Sequence, residues 1–199
     1  MNHSRQIQPT PCVLALGTFD GMHPGHQAVI DRAVEIARSM GVSARVFTFY
    51  ENPRAVFGSS VRPLMSAKEK IAAMKARGVD EVYIVHFTKE LASASPERFA
   101  LALKREYGAC AVVAGEDYTF GRKARGDVNA LARLGGRFGF RVYVAPTVKI
   151  PASSGSDVGK ISSSAIRAAL DSDKPELARA LLMGHTVSDE DARFLADRA

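Results

Sequence analysis

Apolar and polar positions follow two different patterns that alternate along this chain. Short apolar runs rich in β-branched and aromatic residues predict strands over residues 12–16, 44–49, 81–85, 109–114 and 141–145. Apolar residues at helical spacing predict helices over residues 25–40, 66–76, 95–107, 127–137 and 175–183. A shorter helix is predicted to start within residues 160–167, and the polar stretch from residue 188 onward is compatible with another.

Repeated strand–helix units with short connections favour a parallel sheet that is covered on both faces. The predicted fold class is therefore α/β: a Rossmann-like, doubly wound fold with a mostly parallel five-stranded sheet and helices on both faces. In such sheets ligands bind beyond the carboxyl ends of the strands. Segments 17–26, 50–54 and 115–126 each follow a strand end, so we expect them to converge.

The rest of the chain predicts a single domain. Small polar residues over Pro151–Gly159 predict a mobile loop, and we find neither an internal repeat nor a second folded domain. The expected organisation is an N-terminal tail over residues 1–11, one domain over residues 12–185 and a C-terminal helical tail over residues 186–199.

Composition narrows the class of protein. The chain has 199 residues, 46% hydrophobic and 24% charged, which is ordinary globular material. Its net charge of +6 favours anionic partners, but no run of like charges and no basic stripe with aromatics indicates nucleic acid. Without an apolar run of membrane-spanning length we expect a cytoplasmic protein with no membrane partner. Cys12 and Cys110 lie in apolar strands and are expected to be reduced core residues.

The junction between the first strand and the first helix predicts an anion site. Gly17 ends the strand, Gly21 follows it, and Pro24 stands at the helix start, where its missing N–H costs nothing. Free N–H groups and the helix dipole favour anions there. His23 and His26 lie three residues apart on one face, which indicates phosphate chemistry. The plainer alternative is a helix N-terminus that carries two solvated or core histidines.

A second anion site is predicted within Ile161–Arg167. The hydroxyls of Ser162, Ser163 and Ser164 stand at a helix N-cap, and Arg167 follows one turn later. A guanidinium can hold a phosphate through two hydrogen bonds. Alone, the pattern fits a well-capped helix with a surface arginine equally well. Beside the histidine turn, we interpret it as the second half of a nucleotide site.

Several motifs resemble a known family. Gly17-Thr-Phe-Asp-Gly-Met-His-Pro-Gly-His26 and Ile161-Ser-Ser-Ser-x-x-Arg167 resemble the motifs of the HxGH nucleotidyltransferase superfamily. Further segments are similar to the FMN adenylyltransferase module of bacterial FAD synthetases: Thr48-Phe-x-x-x-Pro-Arg54, Met65-Ser-x-x-Glu-Lys70, Phe87–Phe99 and Gly115–Asp127. The segments have the same order as in the family and cover about Val13–Leu182.

This resemblance implies the HxGH nucleotidyltransferase fold and a reaction in which ATP and FMN give FAD and pyrophosphate, with Mg²⁺. The implied catalytic residues are His23, His26, Ser164 and Arg167. The implied ATP-binding residues are Gly17, Thr18, Phe19, Asp20, Gly21, Gly25, Lys160, Ile161, Ser162 and Ser163. The implied flavin-binding residues are Asn52, Pro53, Phe57, Phe99, Asp117 and Phe120. Core packing is an equal alternative for Phe57 and Phe99, and no metal ligand is assigned.

The sequence departs from the family pattern in three ways. Asn52 stands where the family usually has histidine, so this position can donate a hydrogen bond but cannot become cationic. Ser164 replaces the usual threonine, and Ala165 replaces the usual arginine. The riboflavin kinase domain that normally follows does not fit in the residues after Thr186, so no riboflavin phosphorylation is expected.

Two other functions stay open from the sequence. The chain could be another HxGH nucleotidyltransferase with a different phosphorylated acceptor, although the resemblance of Gly115–Gly121 to the family's flavin loop argues against this. It could also be a non-catalytic flavin- or nucleotide-binding protein, an alternative that Asn52 and Ala165 motivate. The sequence does not predict an oligomeric state.

Overall fold

The computed structural model describes residues 9–155 and 157–197. Its strands are β1 (Cys12–Leu16), β2 (Ser43–Phe49), β3 (Glu81–Val85), β4 (Ala109–Gly115), β5 (Arg141–Ala145), β6 (Lys149–Pro151) and β7 (Asp157–Lys160). Its helices are α1 (Pro24–Met40), α2 (Ala67–Ala76), α3 (Lys89–Ser93), α4 (Pro96–Arg105), α5 (Val128–Phe138), α6 (Ser163–Asp171), α7 (Pro175–Met183) and α8 (Asp189–Ala196). Most of the predicted N-terminal tail, residues 1–8, lies outside the described residues.

Five strands form one sheet in the order β3-β2-β1-β4-β5, and every neighbouring pair is parallel. The predicted α/β fold class is therefore confirmed. The chain leaves β1 toward β2 and β3, then returns to the other side of β1 to add β4 and β5. Because the direction of winding reverses between β1 and β4, a crevice is expected at the carboxyl ends of these two strands.

Alternate residues of β1 supply the two faces of the sheet, as strand geometry requires. On one face Val13 and Ala15 pack in a cluster with Ile30 of α1. On the other face Leu14 packs with Leu103 of α4 and with neighbouring aromatic rings. All five residues of β1 are buried, so the strand that leads into the histidine turn is fixed from both sides.

A third apolar cluster holds the last part of the described chain together. Ile166 of α6, Leu181 of α7 and Leu195 of α8 pack with Ile150 and Ile161 around the short hairpin. This cluster positions α6 and therefore the predicted serine–arginine motif at its N-terminus. The domain boundary at residue 185 stays a prediction.

The structure corrects the prediction of a loop over Pro151–Gly159. β6 and β7 pair in antiparallel fashion there, with Lys149 opposite Lys160 and Pro151 opposite Asp157. Three- and four-residue strands are too short to show a period, and their polar side chains hide them from a hydrophobicity pattern. Pairing between the two segments, rather than local sequence, makes them strands.

Helix ends were predicted well where capping chemistry marks them. Ser66 and Glu69 form the expected reciprocal capping box at the start of α2. The prediction of α4 was too long, because the helix ends at Arg105 and Tyr107 packs against the second cluster from beyond it. The short α3 and the 3₁₀ turns at Pro53–Phe57 and Arg122–Ala124 were not predicted.

Two adjacent glycines of α5 provide a matched test of packing in the second cluster. A Cβ at Gly135 would lie 2.7 Å from the backbone oxygen of Phe140, whereas a Cβ at Gly136 would meet nothing within 4 Å. We expect Gly135→Ala to lower the free energy of unfolding by about 1–3 kcal/mol through overpacking. Gly136→Ala should raise it by about 0.5–1 kcal/mol, because alanine favours the helix. Urea denaturation of both variants checks this, and equal effects would contradict it.

Candidate active site

The turn after β1 places two histidines against each other at the start of α1. His23 is the N-cap of the helix, and Pro24 occupies its first turn. The imidazole rings of His23 and His26 stack with their centroids 3.7 Å apart and 22° between their planes. The Phe19 ring meets His26 edge-on at 5.4 Å. Phe19 and Met22 have left-handed φ angles of 50° and 46°, a strained backbone that recurs at functional sites.

Close approach explains two of the glycines in this turn. A Cβ on Gly17 would come within 2.8 Å of the Phe19 ring, so the phenyl group lies directly over the Gly17 backbone. A Cβ on Gly25 would lie 3.2 Å from the His23 ring. A side chain at Gly17 would therefore press on the Phe19 ring that meets His26 edge-on, and one at Gly25 would press on the stacked ring of His23.

Burial keeps both imidazoles neutral. It lowers the pKa of His23 from 6.5 to about 4, although the carboxylates of Asp117 and Asp20 act in the opposite direction. Burial also lowers the pKa of His26 well below its ordinary value, and the neighbouring His23 adds to this effect. The Nδ1 atoms of both rings are buried and have no hydrogen-bond partner among the described residues. Two neutral imidazoles thus retain hydrogen-bonding capacity at the end of β1.

Asp20 joins this turn to the second predicted anion site. Its backbone oxygen accepts a 2.7 Å hydrogen bond from the Ser163 hydroxyl. Its carboxylate forms a buried ion pair with Arg167 and accepts a 2.9 Å hydrogen bond from the Leu64 backbone N–H. Arg167 also donates to the backbone oxygen of Arg62 at 2.8 Å. The histidine turn, the residue 62–64 segment and α6 consequently meet at one carboxylate.

The three serines of the motif have different roles in the structure. The Ser162 hydroxyl accepts a 3.1 Å hydrogen bond from the Ala165 backbone N–H and so caps α6. The Ser163 hydroxyl is used by Asp20. Ser164 is exposed, and its hydroxyl has no partner among residues 9–155 and 157–197. Of the three hydroxyls, that of Ser164 is the one available to a ligand.

The loop after β4 also approaches the histidine turn, and it contacts Lys160 just before the serine motif. The Lys160 ammonium forms an ion pair with the Asp117 carboxylate, and this hydrogen bond lowers the pKa of Asp117. Asp117 in turn lies close enough to His23 to influence its titration. The expected convergence of the histidine turn, the Asn52 loop and the loop at Glu116–Gly121 is therefore observed, because Asn52 lines one cavity with Thr18 and Asp20. Lys160 brings the start of the serine motif to the same crevice.

The residues predicted to bind flavin divide into two groups. Phe57 is 70% exposed, which excludes ordinary core packing for it. Phe99 and Phe120 are buried with ring centroids 5.4 Å apart, so packing explains much of their environment. A row of ring contacts through Phe87, Phe49 and Phe47 links Phe57 to Phe99. Asn52 caps the 3₁₀ turn, where its side-chain oxygen accepts a 3.0 Å hydrogen bond from the Arg54 backbone N–H.

One site residue was not predicted to have a role. Lys70 of α2 is only 5% exposed, and its ammonium donates to the backbone oxygens of Thr18 at 3.0 Å and Phe49 at 2.9 Å. It lines a cavity of about 250 Å³ together with Asn52 and Glu51. A signal existed, because Lys70 and the buried Met74 lie four residues apart on the same face of α2.

The charged groups do not form a dedicated metal cage. Within the described part of the chain, no three His, Cys, Asp or Glu side chains group in a way that could hold a metal ion. The two carboxylates nearest the histidines, Asp20 and Asp117, are each paired with a cation.

Comparison with known proteins identifies relatives over most of the chain. The model of the FAD synthetase family matches residues 5–164. The bifunctional riboflavin kinase/FMN adenylyltransferase of Listeria monocytogenes is 38% identical over 85% of this chain and 53% of its own length. The protein of the same name from Bacillus subtilis is 33% identical over 91% and 56%, respectively. The chain thus spans about half the length of these two relatives.

A shorter relative and a solved structure extend the comparison. A putative bifunctional riboflavin kinase/FMN adenylyltransferase of Geobacillus thermodenitrificans is 34% identical, over 85% of this chain and 88% of its own length. The crystal structure of a macrolide-efflux protein from Streptococcus pneumoniae superposes on this chain with a TM-score of 0.72 and 30% sequence identity. The match covers 87% of this chain and 55% of the other chain. None of the helices described above is both long and apolar enough to cross a membrane.

The buried neutral histidines predict how stability depends on pH. Unfolding restores an ordinary histidine pKa near 6.5, so between about pH 6.5 and 4 the unfolded chain binds a proton that the folded chain does not. Stability should therefore fall as the pH falls through this window, and His23 alone should account for about 3 kcal/mol. Urea denaturation at a series of pH values measures this slope.

The variant His23→Gln cannot take up that proton and should show a shallower loss of stability toward pH 4. His185→Gln is the matched control, since His185 is exposed and outside this turn. If His23→Gln and the wild-type chain lose stability in parallel, the histidine is not held neutral by burial.

Proposed function

This chain belongs to the FAD synthetase family, and we propose on that basis that it transfers the adenylyl group of ATP to FMN, which gives FAD and pyrophosphate. The observation that carries the proposal is the convergence of the stacked His23 and His26 with the N-terminus of α6 at the Asp20 carboxylate. Adenylyl transfer needs two anions held together, and this convergence supplies donors for both. Since the reaction consumes ATP, we place it in the cytoplasm.

The proposed reaction is an in-line displacement. A phosphate oxygen of FMN attacks the α-phosphorus of ATP, the new P–O bond forms the diphosphate of FAD, and the bond to pyrophosphate breaks. The FMN phosphate is already a competent nucleophile, so no side chain has to attack. The chain must instead position both substrates and stabilise the charge on the five-coordinate phosphorus.

In this proposal His23 and His26 act as hydrogen-bond donors to the α-phosphate. Because burial lowers the pKa of both, they donate as neutral imidazoles and need no protonation at neutral pH. Neutral donors in a buried site stabilise developing charge without the cost of burying two adjacent cations.

The triphosphate is proposed to bind at the N-terminus of α6. The free backbone N–H groups of this helix, the Ser164 hydroxyl and the helix dipole all favour an anion there. Three of the five N–H groups of Arg167 are used by Asp20, Arg62 and Ser163, so two are left for a phosphate. Gly17–Gly21, Gly25 and Lys160–Ser163 complete the proposed ATP site.

The flavin is proposed to bind beyond the end of β2. The exposed ring of Phe57 offers an apolar surface for an isoalloxazine, and Pro53 begins the same 3₁₀ turn. Asn52 supports this side of the site through its amide. Phe99, Phe120 and Asp117 would act from the far side, Phe99 and Phe120 as buried packing beneath the site and Asp117 through Lys160.

A divalent metal is typical of nucleotidyltransferases such as this family, and we propose Mg²⁺ as part of the ATP substrate. Its role when bound is to neutralise phosphate charge. Asp20 and Asp117 are the carboxylates that could reach such an ion, although each already has a cationic partner. The chain's own task is to orient the phosphates that carry it.

A different acceptor is the main alternative. Another phosphorylated acceptor could use the same ATP site, and the exposed Phe57 is the feature that favours a flat, apolar flavin ring over it. Incubation with ATP, Mg²⁺ and FMN, followed by chromatography, tests the choice. Formation of FAD and pyrophosphate supports the proposal, whereas adenylyl transfer to another acceptor without FAD would overturn it.

We expect His23 and His26 to account for much of the rate of FAD formation. We expect His23→Ala and His26→Ala each to lower kcat for FAD formation by about 10²–10³-fold, because each removes a preorganised donor. His185→Ala is the matched control and should leave kcat unchanged. Binding of ATP and FMN without turnover, together with insensitivity to His23→Ala, would instead identify a non-catalytic binding protein.

A further inference from the structure

The cations around the proposed active site differ in what neutralises them. Arg167 is paired with Asp20, and Lys160 is paired with Asp117. The two histidines are neutral. Lys70 alone among these described groups is held by uncharged partners, the backbone oxygens of Thr18 and Phe49, with no carboxylate within ion-pairing distance. A positive charge without an ion-pairing partner is thus fixed inside the site, and the carboxylates of Asp20 and Glu51 act on it only from a greater distance.

The position of Lys70 points to one ligand group. Its ammonium joins the turn after β1 to the end of β2, on the side of the site where the 3₁₀ turn carries Phe57. The cavity of about 250 Å³ that it lines also contains Asn52. Since the oxygen of the Asn52 side chain is bound to the Arg54 N–H, its amide NH₂ group has no partner in the described structure. A cation and an amide donor therefore face one small cavity.

Two carboxylates line the same cavity but are already engaged. Asp20 is held by Arg167 and by the Leu64 N–H. Glu51 is held by His86, whose Nδ1 lies 2.7 Å from the Glu51 oxygen. The ammonium of Lys70 has three N–H donors, and two of them are used by the backbone oxygens. One donor on a largely desolvated cation is left for an anion.

We propose that Lys70 is a specificity-determining residue that, with the Asn52 amide, binds the phosphate of the flavin acceptor and so selects FMN over riboflavin. The inference rests on the proposed function, and it assigns a role to the Met65–Lys70 segment. The two backbone oxygens hold the ammonium in place before the ligand arrives, so little reorganisation is needed on binding. Charge-assisted hydrogen bonds of this kind are stronger than neutral ones.

The test removes the charge and keeps a polar N–H donor. Lys70→Gln carries an amide donor on a slightly shorter side chain, and Lys68→Gln on the exposed face of α2 is the matched control. Binding of FMN and of riboflavin is measured by quenching of flavin fluorescence, with and without an unreactive ATP analogue. We expect Lys70→Gln to weaken FMN binding by about 10- to 100-fold and to change riboflavin binding by less than about twofold. Lys68→Gln should alter neither.

Equal weakening of both flavins, or an unchanged ratio of FMN to riboflavin affinity, would overturn the inference. A second variant, Asn52→Asp, keeps the proposal testable if Lys70→Gln does not fold. It keeps the side-chain oxygen that caps the 3₁₀ turn but places a negative charge in the cavity. It should therefore lower the ratio of FMN to riboflavin affinity. If wild-type protein binds FMN no more tightly than riboflavin, no phosphate site exists there.

These binding results separate the inference from the proposed function. Suppose that the wild-type protein forms FAD and that Lys70→Gln has the same ratio of FMN to riboflavin affinity as the wild type. The proposed function would then stand, and the role of Lys70 would be rejected. Wild-type protein that forms no FAD would reject the proposed function. The ratio of the two flavin affinities would still report whether Lys70 recognises a phosphate.

Discussion

The candidate site depends on the buried ion pair between Asp20 and Arg167. This pair, with the hydrogen bonds from Ser163 and Leu64, fixes the distance between the histidine turn and α6, two elements far apart in sequence. Burial of such a pair costs desolvation on both sides, so its net stabilisation is small, but loss of one partner leaves an unpaired buried charge. Its main consequence is positional: the end of β1 and the third apolar cluster are held in one arrangement.

The same arrangement determines which side chains of the site carry a net charge that a ligand would meet. Opposite charges neutralise Arg167 and Lys160, and burial removes the charge from both histidines. Without this pairing and burial, the crevice would hold several unshielded cations, at a cost to folding. Pairing and neutral imidazoles keep the donors in place. Among the described cations Arg167, Lys160 and Lys70, only Lys70 has no carboxylate within ion-pairing distance.

Much of the fold was predictable because its signals are local. The apolar runs predicted all five strands of the main sheet, and the reciprocal pairing of Ser66 with Glu69 marked the start of α2. The antiparallel hairpin of β6 and β7 and the contacts of Lys70 were not predictable in the same way. Both arise from contacts between distant segments: a three-residue strand has no pattern of its own, and the spacing of Lys70 and Met74 indicates only that the lysine lies on a buried face of α2. The position of the histidine turn beside the serine motif was predictable in part. The topology predicted that the histidine turn lies at the carboxyl edge of the sheet, but the contacts of Asp20 with Ser163 and Arg167 are visible only in the structure.

Two of the departures from the family pattern, at positions 52 and 165, can be understood in the same terms. At position 52, the asparagine oxygen caps a 3₁₀ turn, a backbone role that histidine would fill differently, and at position 165 the alanine N–H is bound by Ser162. Each substitution keeps the local backbone in order while it removes a possible positive charge. Under the proposed function, the electrostatic attraction for the two substrates then comes from fewer groups. The charge of Lys70, which has no carboxylate within ion-pairing distance, would matter more in this chain than it would with a cation at either position.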